Sequence, residues 1–517
     1  MQKSQSLEPE GTGAADPPGA AYRIVRWYLG PLLALLLVAI LAFTWAQFCF
    51  LAGCRLDISY PEGAVAARAL DVAKGVSPYH DWREWPHAFA PYGPLAYYPA
   101  GWTLRWSGLP VGIRQAYVTG RCISLLSILI VCGILYALAR RTELSRTWSF
   151  LMICSVFVWQ ELLIYCASLR PDAPKALCAL GALALMAGRA PRPWRVLASG
   201  GLLGLSFWIK PTNWGIALAW AIWAGGEGGV RRSLVALLGF GLAGLIPAWW
   251  VDHRLQGRLF LNMVGSLDNG WSLKPFWMVL TYLLQWQGPV LAAPCWLALR
   301  ELRLRKTGEA GRLLAWAFLL TLFFALVQYL KAGSDLNYFL ESYLLGSILA
   351  TGEISRLWDR VVAGGARRWE KRLLALVAAF VILHTGIELV DFRESLKMAR
   401  RSRQTHGVPQ LLSGSKGPVL STYPFVALSV PENSVILDHY QYAVLAGRGR
   451  LKTKPLLDRV RAKAFSAIVL TDEDGKTREV LDQWRNLYCP EFLPTLLENY
   501  RMECQVSYFY ILTPRRP

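Results

Sequence analysis

Apolar segments long enough to cross a lipid bilayer recur along this 517-residue chain, and short clusters of Lys and Arg separate them. A helix needs about 20 mainly apolar residues to span the hydrocarbon core. Charged residues make up 17% of the chain and apolar residues 54%, whereas soluble domains carry about 25% charged residues. This pattern excludes a soluble globular enzyme, a disordered protein and a disulfide scaffold. It predicts an α-helical polytopic membrane protein.

The net charge of +20 would also suit a nucleic-acid-binding protein. The basic residues, however, flank the apolar segments and form no single stripe with interleaved aromatic side chains. In a membrane protein, Lys and Arg residues beside apolar segments indicate the topology of the chain rather than its binding partners. We therefore expect the lipid bilayer as a partner and no nucleic acid.

The first span is predicted near Ile24–Phe50, after Arg23 and Arg26. It is too long for the apolar core of a signal peptide, so we interpret it as an uncleaved anchor. Counting it, the chain has about eleven predicted spans. The later ones lie near 116–139, 147–168, 173–188, 196–209, 211–224, 233–251, 275–299, 313–330, 338–355 and 373–390.

Lys210 and Pro211 separate two short apolar stretches and decide the topology. If the two stretches are separate spans and the N-terminus is cytoplasmic, most basic residues fall in inner loops, as the positive-inside rule requires. Merging them would place every later basic cluster outside. We therefore predict a multi-pass protein of the cell inner membrane with an extracytoplasmic C-terminus.

Three regions follow from this topology. Residues 1–21 are rich in Pro, Gly, Ala and Glu and are predicted to be a disordered cytoplasmic N-terminus. Residues 22–390 form the transmembrane domain, and its first outer loop spans 51–115. Residues 391–517 are predicted to be a small extracytoplasmic α/β domain.

Strand-like runs in this last region are Ser434–Leu437, Ala467–Thr471 and Gln505–Leu512, each flanked by turn residues. Cys489 and Cys504 could form a disulfide there, because an extracytoplasmic compartment permits one.

The first outer loop carries Asp57 and Glu62 directly after the first span. Partial burial at the membrane surface would raise the pKa of such a carboxyl toward that of a useful general base. The alternative is that both are ordinary solvated loop acids.

Further charged residues stand where predicted spans begin or end. Asp172 could face the positive end of a helix dipole or pair with neighbouring cations. Lys210 is costly between apolar stretches unless it is paired or binds an anion, although it could also extend to the interface. Glu341 is either a buried partner for a cation or a helix-start acid.

These groups lie at one depth in the predicted topology, at the outer membrane face. A rim of this kind suits an anionic headgroup on a lipid tail that meets a polar acceptor from outside. Its acids are Asp57, Glu62, Asp172 and Glu341, and its cations are Arg121, Arg170, Lys210 and Lys331.

Several short motifs together resemble the GT-C type membrane glycosyltransferases. That group includes the protein O-mannosyltransferases, the aminoarabinose transferases and bacterial relatives of the RgtA/B/C/D type. The likeness covers nearly the whole chain. Its motifs are Tyr60-Pro61-Glu62-Gly63, Gly75 with Pro78-Tyr79, Pro91-Tyr92-Gly93-Pro94, Gly120-Arg121, Arg170-Pro171-Asp172, Ile209-Lys210-Pro211, Gly333 through Glu341, Asn499-Tyr500-Arg501 and Tyr508–Pro514.

The resemblance implies a sugar donor carried on polyprenyl phosphate and transfer on the outer face to a lipid, glycan or protein acceptor. Direct displacement of the phosphate would invert the anomeric centre. Glu62 best matches the family's essential acid, although Pro61 stands where the usual pattern has Asp. The scheme needs no cofactor or metal, and a divalent cation would be compatible with it. The implied roles are catalysis for Glu62, Asp57 and Asp172, donor-phosphate binding for Lys210, Arg170, Arg121 and Lys331, and substrate-pocket lining for His87, Tyr92, Asn337 and Glu341.

Two other function classes compete with a glycosyltransferase of cell-envelope glycan or lipid synthesis. A lipid or sugar transporter would favour charges buried in mid-span within broken helices, whereas these charges lie at the outer rim. A non-catalytic protein that binds a lipid-linked sugar would tolerate the departure at Pro61.

Overall fold

The computed structural model describes residues 62–515 except 109, 158–159, 189–190, 272, 274–276, 278–287, 305–307, 332, 378, 380–406, 416, 431–435, 472–483 and 485–486, and it describes scattered positions between 38 and 59. The predicted disordered segment 1–21, most of the first span and most of the span at 373–390 lie outside the described residues.

The membrane part of the described chain is built from helices. Their bounds are α1 Glu62–Ala73, α2 Tyr98–Trp106, α3 Ile113–Arg141, α4 Arg146–Val156, α5 Gln160–Ala167, α6 Asp172–Met186, α7 Pro193–Ile209, α8 Trp214–Phe240, α9 Ile246–Arg254, α10 Arg258–Met263, α11 Gly288–Leu304, α12 Gly308–Tyr329 and α13 Leu340–Val362. Short 3₁₀ turns at Pro94–Ala96, Gly265–Leu267 and Leu336–Phe339 and a π-turn at Gly241–Leu245 connect some of them.

Membrane-spanning character is clear for part of this set. Within the described residues, three helical segments are long and apolar enough to cross a membrane, and they are Ile113–Arg141, Gly229–Arg254 and Gly308–Tyr329. The second of these combines the last part of α8, the π-turn and α9. The predicted spans 211–224 and 233–251 both lie partly in α8, which begins only at Trp214, and Gly229 interrupts this helix with a φ of 68° and a ψ of 176°. The total of eleven spans stays a prediction.

The predicted break at Lys210-Pro211 is confirmed. Helix α7 ends at Ile209, Lys210 is extended with φ −155° and ψ 119°, and α8 begins at Trp214. Proline has no N–H to donate and disfavours helical backbone in the residue before it. The break leaves the Lys210 side chain at the end of two packed helices.

Helices α7 and α8 approach closely because small residues face each other along their contact. A Cβ on Gly200 would collide with the carbonyl of Ala236, and one on Gly239 would collide with that of Leu197. Gly204 and Gly244 meet in the same way further along. Such small-residue contacts allow membrane helices to pack backbone against backbone.

The C-terminal part combines a four-stranded sheet with short helices. Strands β1 Val419–Ser421, β2 Ala467–Thr471, β3 Tyr500–Val506 and β4 Phe509–Pro514 lie in the order β1-β2-β4-β3, and only β1 and β2 are parallel among these strands. The accompanying helices are α14 Gly407–Leu412, α15 Pro424–Leu428, α16 His439–Gly447, α17 Lys454–Arg461 and α18 Phe492–Asn499.

The three strands predicted for this region have different outcomes. The strand at Ala467–Thr471 is found as predicted. The run Gln505–Leu512 is not one strand, because the chain reverses at Ser507, whose φ is 56°, and pairs with itself as the β3–β4 hairpin. In Ser434–Leu437 only Ile436 and Leu437 are described, and they are not in a strand.

The suggested disulfide is also not found. Cys489 and Cys504 are both free thiols in the described part of the chain. Cys489 is buried among the residues on one face of the sheet, whereas Cys504 packs with the group on the other face.

The first outer loop is anchored in the C-terminal sheet. Trp82 and Phe89 pack in the same apolar core as Leu420 and Ile468, and the N–H of Ile436 donates to the carbonyl of Pro86 at 3.1 Å. The loop therefore connects the outer ends of the membrane helices to the C-terminal domain.

We predict that Gly200→Ala lowers the melting temperature of the protein in detergent, because the added methyl group must push α7 away from α8. Overpacking of this kind costs about 1–3 kcal/mol. Gly133→Ala is the matched control, since that helical glycine has no neighbouring atom within 4 Å of the position where a Cβ would lie. Equal melting temperatures for both variants would contradict the close packing of these helices.

Candidate functional site

A cavity of about 790 Å³ lies where one end of the membrane helices meets the C-terminal domain. The membrane side contributes Arg170, Lys210 and Lys331, and the C-terminal domain contributes the start of α16 at Asp438. The cavity therefore collects charged side chains that are far apart in sequence.

Asp172 organises the membrane side of this cavity. It is the first residue of α6 and is fully buried. Its Oδ2 accepts from Nε of Arg170 at 2.9 Å, and its Oδ1 accepts from Nζ of Lys210 at 2.9 Å. Nδ2 of Asn337 also donates to Oδ1 at 2.9 Å. Asp172 therefore has both of the roles that the sequence allows, because it starts helix α6 and it pairs with cations.

Lys210 is held beside aromatic rings as well as beside this carboxylate. Its Nζ lies 5.6 Å from the ring centre of Tyr92 and 5.0 Å from that of Tyr338. Gly93 holds the backbone next to Tyr92 against the end of α7, since its N–H donates to the carbonyl of Ile209 at 3.1 Å. Only glycine fits this close approach, because a Cβ there would collide with the carbonyl of Trp208.

Arg170 connects the buried Asp172 carboxylate to a more exposed acid. Its guanidinium lies 4.7 Å from the ring centre of Tyr165, and its second nitrogen is 3.4 Å from Oδ2 of Asp335. The hydroxyl of Tyr165 donates to Oδ1 of Asp335 at 3.0 Å. The Asp335 side chain is 53% exposed, so it is open to the cavity that it lines.

Lys331 supplies the third cation. Its backbone forms an isolated antiparallel bridge with Trp271. Burial lowers the pKa of Lys331 to about 8, nearby Lys210 lowers it as well, and Asp268 opposes both. The ammonium group is therefore mainly charged at neutral pH, and a bound anion would favour that charged form.

Asn337 gives independent evidence for a ligand in this cavity. The residue is 2% exposed, and its Nδ2 is used by Asp172. Its Oδ1 has no hydrogen-bond partner among the described residues. Buried polar atoms are normally paired, so a hydrogen-bond donor of a bound molecule would complete this site.

Glu62 lies outside the set of described residues that line the cavity. It is fully buried, and Arg121 donates to both of its oxygens, at 2.8 and 2.9 Å. The N–H groups of Ile58 and Leu169 donate to it at 2.7 and 2.6 Å. A carboxylate with both oxygens engaged in this way suits a structural role better than the predicted role of general base.

Asp57 is buried beside Glu62 and likewise lies outside the described cavity lining. The hydroxyl of Tyr117 donates to it, and Tyr423 of the C-terminal domain donates to its backbone carbonyl at 3.0 Å. Burial raises the pKa of Asp57 to about 8, and nearby Glu62 raises it further, whereas Tyr117 and Arg121 act in the opposite direction. The carboxyl is therefore largely protonated at neutral pH.

The remaining predicted residues divide between the cavity and the surrounding structure. Tyr92 and Asn337 line the cavity. Glu341 is the buried partner of Lys175, at 2.8 Å, which is one of the two alternatives left open by the sequence. His87 is fully buried and packs against Tyr442 of the C-terminal domain, with ring centres 5.3 Å apart.

The structure also adds cavity residues that were not assigned a role from the sequence. They are Asp268, Trp271, Asp335, Asp438 and Tyr440. Asp335 stands within a recognised motif, but its spacing does not distinguish it from its neighbours. Asp438 lies in a region with no catalytic pattern. Among the described residues, no group of three His, Cys, Asp or Glu side chains has the arrangement of a metal site.

No protein-family model matches the chain, and no curated protein matches its sequence. Solved structures do resemble it. ArnT from Cupriavidus metallidurans, in the apo state, has a TM-score of 0.58 at 13% identity, over 94% of this chain and 98% of that one. The apo oligosaccharyltransferase of Archaeoglobus fulgidus has a TM-score of 0.52 at 11% identity, over 89% of this chain and 72% of that one. The chain therefore has a GT-C-like fold, as its motifs predict.

We predict that Glu62→Gln destabilises the protein, because it removes the buried carboxylate to which the guanidinium of Arg121 donates twice. Breaking such a pair from one side costs about 3–5 kcal/mol. The melting temperature in detergent should fall strongly and should recover in part in the double variant Glu62→Gln with Arg121→Met. If Glu62→Gln melts like the wild type, the structural role of this pair is wrong.

Proposed function

We propose that the protein is a membrane glycosyltransferase that moves a sugar from a polyprenyl-phosphate donor to an acceptor on the outer face of the membrane. The observation that carries the proposal is the cavity in which Arg170, Lys210 and Lys331 converge. The GT-C-like fold supports it, since both structural neighbours are glycosyltransferases. The acceptor is a lipid, a glycan or a protein of the cell envelope.

The charges on the membrane side of the cavity favour an anionic ligand. Asp172 and Asp335 offset Arg170 and Lys210, so Lys331 remains as a cation on this side, whereas the carboxylate of Asp438 belongs to the wall formed by the C-terminal domain. Arg170 and Lys210 are almost fully buried, and an anion in such a place gains more from them than it would in water. A lone phosphodiester of a lipid-linked sugar has the matching charge.

The same arrangement suits the chemistry of transfer. An acceptor oxygen or nitrogen attacks the anomeric carbon, and the bond from that carbon to the phosphate oxygen breaks. The leaving polyprenyl phosphate gains one negative charge in this step. Fixed cations that face the developing charge stabilise the transition state without reorganising, so Lys210, Arg170 and Lys331 would serve as the electrostatic catalysts.

An apolar part of the cavity wall suits the lipid chain of the donor. Trp214, Met263 and Val264 line the cavity together with the cations, and Trp214 and Val264 are exposed. A phosphate at Lys210 would place the first isoprene units against these side chains. A donor approaching from the outer leaflet would not have to leave the bilayer.

We predict that Lys210→Gln lowers sugar transfer by about 100-fold, because removing one fixed donor to a developing charge typically costs that much. Arg170 and Asn337 still donate to Asp172 in this variant, which protects the fold. Transfer is measured with purified protein in nanodiscs, a panel of radiolabelled polyprenyl-phosphate sugars and a membrane extract as acceptor.

Arg254→Ala is the matched control for this experiment. Arg254 is an exposed cation near the outer surface that packs on Trp250 and does not belong to the described cavity lining. Wild-type transfer by Lys210→Gln would refute the phosphate site. Donor binding without transfer by the wild type would favour a non-catalytic binding protein, and movement of the donor across liposomes would favour a transporter.

We also expect donor binding to depend on pH through Lys331. Its pKa of about 8 means that the cation is present below pH 8 and is lost as the pH rises through this value. The dissociation constant of the donor should therefore increase from pH 7 to pH 9. Lys331→Arg, which stays charged, should remove that increase, and an unchanged pH dependence in this variant would exclude Lys331 as its source.

A further inference from the structure

Two amide side chains that border the cavity each have a buried oxygen with no hydrogen-bond partner among the described residues. These atoms are Oδ1 of Asn337 and Oε1 of Gln328. Buried polar atoms are normally paired. A ligand that displaces water from this part of the cavity therefore has to supply hydrogen-bond donors to both oxygens, or it loses affinity.

The partners of the two NH₂ groups fix the orientation of both amides. Nδ2 of Asn337 donates to Oδ1 of Asp172 at 2.9 Å, and Nε2 of Gln328 donates to the carbonyl of Thr212 at 2.9 Å. A carboxylate and a carbonyl oxygen only accept hydrogen bonds, so the nitrogen of each amide must face its partner. The atom that remains for a ligand is in both cases an acceptor.

Both amides lie beside Lys210, one of the cations assigned to the donor phosphate. Oδ1 of Asp172 accepts from Lys210 and from Asn337, so their two nitrogens are separated by no more than two hydrogen-bond lengths. Gln328 belongs to the same corner of the cavity, because the N–H of its partner Thr212 donates to the carbonyl of Lys210 at 2.8 Å. A phosphate held by Lys210 would therefore be close to both amides.

The segments that carry the two amides are also held together. Gln328 stands in the last turn of α12, and Asn337 stands in the 3₁₀ turn that follows. The hydroxyl of Ser334 donates to the backbone carbonyl of Gln328 at 2.8 Å. The rings of Tyr329 and Phe339 pack with their centres 6.0 Å apart. The two acceptors are thus positioned before a ligand binds.

The chemistry of these acceptors distinguishes the two halves of a lipid-linked sugar. Its phosphodiester has no N–H or O–H group, so it cannot donate to either oxygen, and its negative charge would be repelled by both. The sugar is bonded directly to the phosphate and carries hydroxyl groups, which donate hydrogen bonds. With the phosphate at the cations, the sugar is therefore the part of the donor that suits Asn337 and Gln328.

We infer that Asn337 and Gln328 determine the specificity for the donor sugar, an inference that rests on the proposed function. Each oxygen accepts a hydrogen bond from one free hydroxyl group of the sugar, while Lys210 and Arg170 hold the phosphate. The matching donor is a polyprenyl-phosphate sugar with two unsubstituted hydroxyl groups within reach of these oxygens. A sugar that lacks either hydroxyl group leaves one buried oxygen unpaired and binds more weakly.

The test measures dissociation constants in nanodiscs for polyprenyl phosphate without a sugar, for a panel of polyprenyl-phosphate sugars, and for analogues with fluorine in place of one hydroxyl group. Fluorine is similar in size to a hydroxyl group but cannot donate. For the sugar that binds the wild type most tightly, we expect replacement of two of its hydroxyl groups, one at a time, to weaken binding by about 10- to 100-fold each, as an unpaired buried acceptor does.

Gln328→Met tests one of the two oxygens. Met keeps the length of the side chain but has no amide oxygen. We expect one of the two sensitive hydroxyl groups to become replaceable by fluorine without loss of affinity, whereas the other stays sensitive. The affinity for polyprenyl phosphate without a sugar should stay that of the wild type, because its cation site is intact.

Two further variants complete the comparison. Asn337→Leu also removes a contact of Asp172, so its affinity for polyprenyl phosphate serves as the reference, and relative to it the other hydroxyl group should lose its effect. Gln505→Met is the matched control. Gln505 is an exposed residue of β3 outside the described cavity lining, and its amide likewise donates to a backbone carbonyl, that of Ser507 at 3.0 Å. It should show the wild-type pattern.

Equal binding of the parent sugar and of all its fluorinated analogues by the wild type would overturn this inference and leave the proposed function standing. A wild-type pattern in Gln328→Met, or an equal loss of affinity for polyprenyl phosphate with and without the sugar, would also overturn it, because the residue would then have no role or only a structural one. Failure of the wild type to bind polyprenyl phosphate in any form would overturn the proposed function and the inference together.

Discussion

The hydrogen bonds and ion pairs of the Asp172 carboxylate are the interactions on which the cavity-facing end of the membrane domain depends. This carboxylate joins Arg170 before α6, Lys210 after α7 and Asn337 before α13 through contacts of 2.9 Å. Without it, two buried cations would repel each other in surroundings of low dielectric constant. One acid therefore fixes three chain segments and makes it possible for Arg170 and Lys210 to border the same cavity.

This arrangement is costly for a membrane protein, and the cost supports the functional site that is proposed here. Buried ion pairs are often no more stable than apolar residues of the same volume, and the adjacent helices α7 and α8 already pack closely through glycine. The gain lies in preorganisation, because Arg170 and Lys210 are held in place before any ligand arrives. In the proposed reaction they would stabilise a phosphate without first having to be ordered.

The sequence predicts those features that depend on neighbouring residues. Lys210 before Pro211 ends a helix for local steric reasons, and Asp172 after Pro171 starts one. The sequence does not predict that Glu62 pairs with Arg121, because Arg121 is 59 positions away and both side chains could equally have faced the cavity. The hairpin at Ser507 is missed because its turn contains no Gly, Pro or Asn. Asp438 borders the cavity only because two parts of the chain meet there, and no local pattern encodes that contact.

In the proposed function, the division of the cavity between two parts of the chain would separate two tasks of a transferase. The membrane helices hold the cations and the apolar side chains that suit a lipid phosphate, whereas the C-terminal domain presents Asp438 and Tyr440 from the other wall. The loop from Gly265 to Trp271 contacts both, since Ser266 is bound by Gln441 and Trp271 pairs with Lys331. In the proposed reaction, donor recognition could therefore stay constant while changes in the C-terminal domain and in this loop would alter the acceptor.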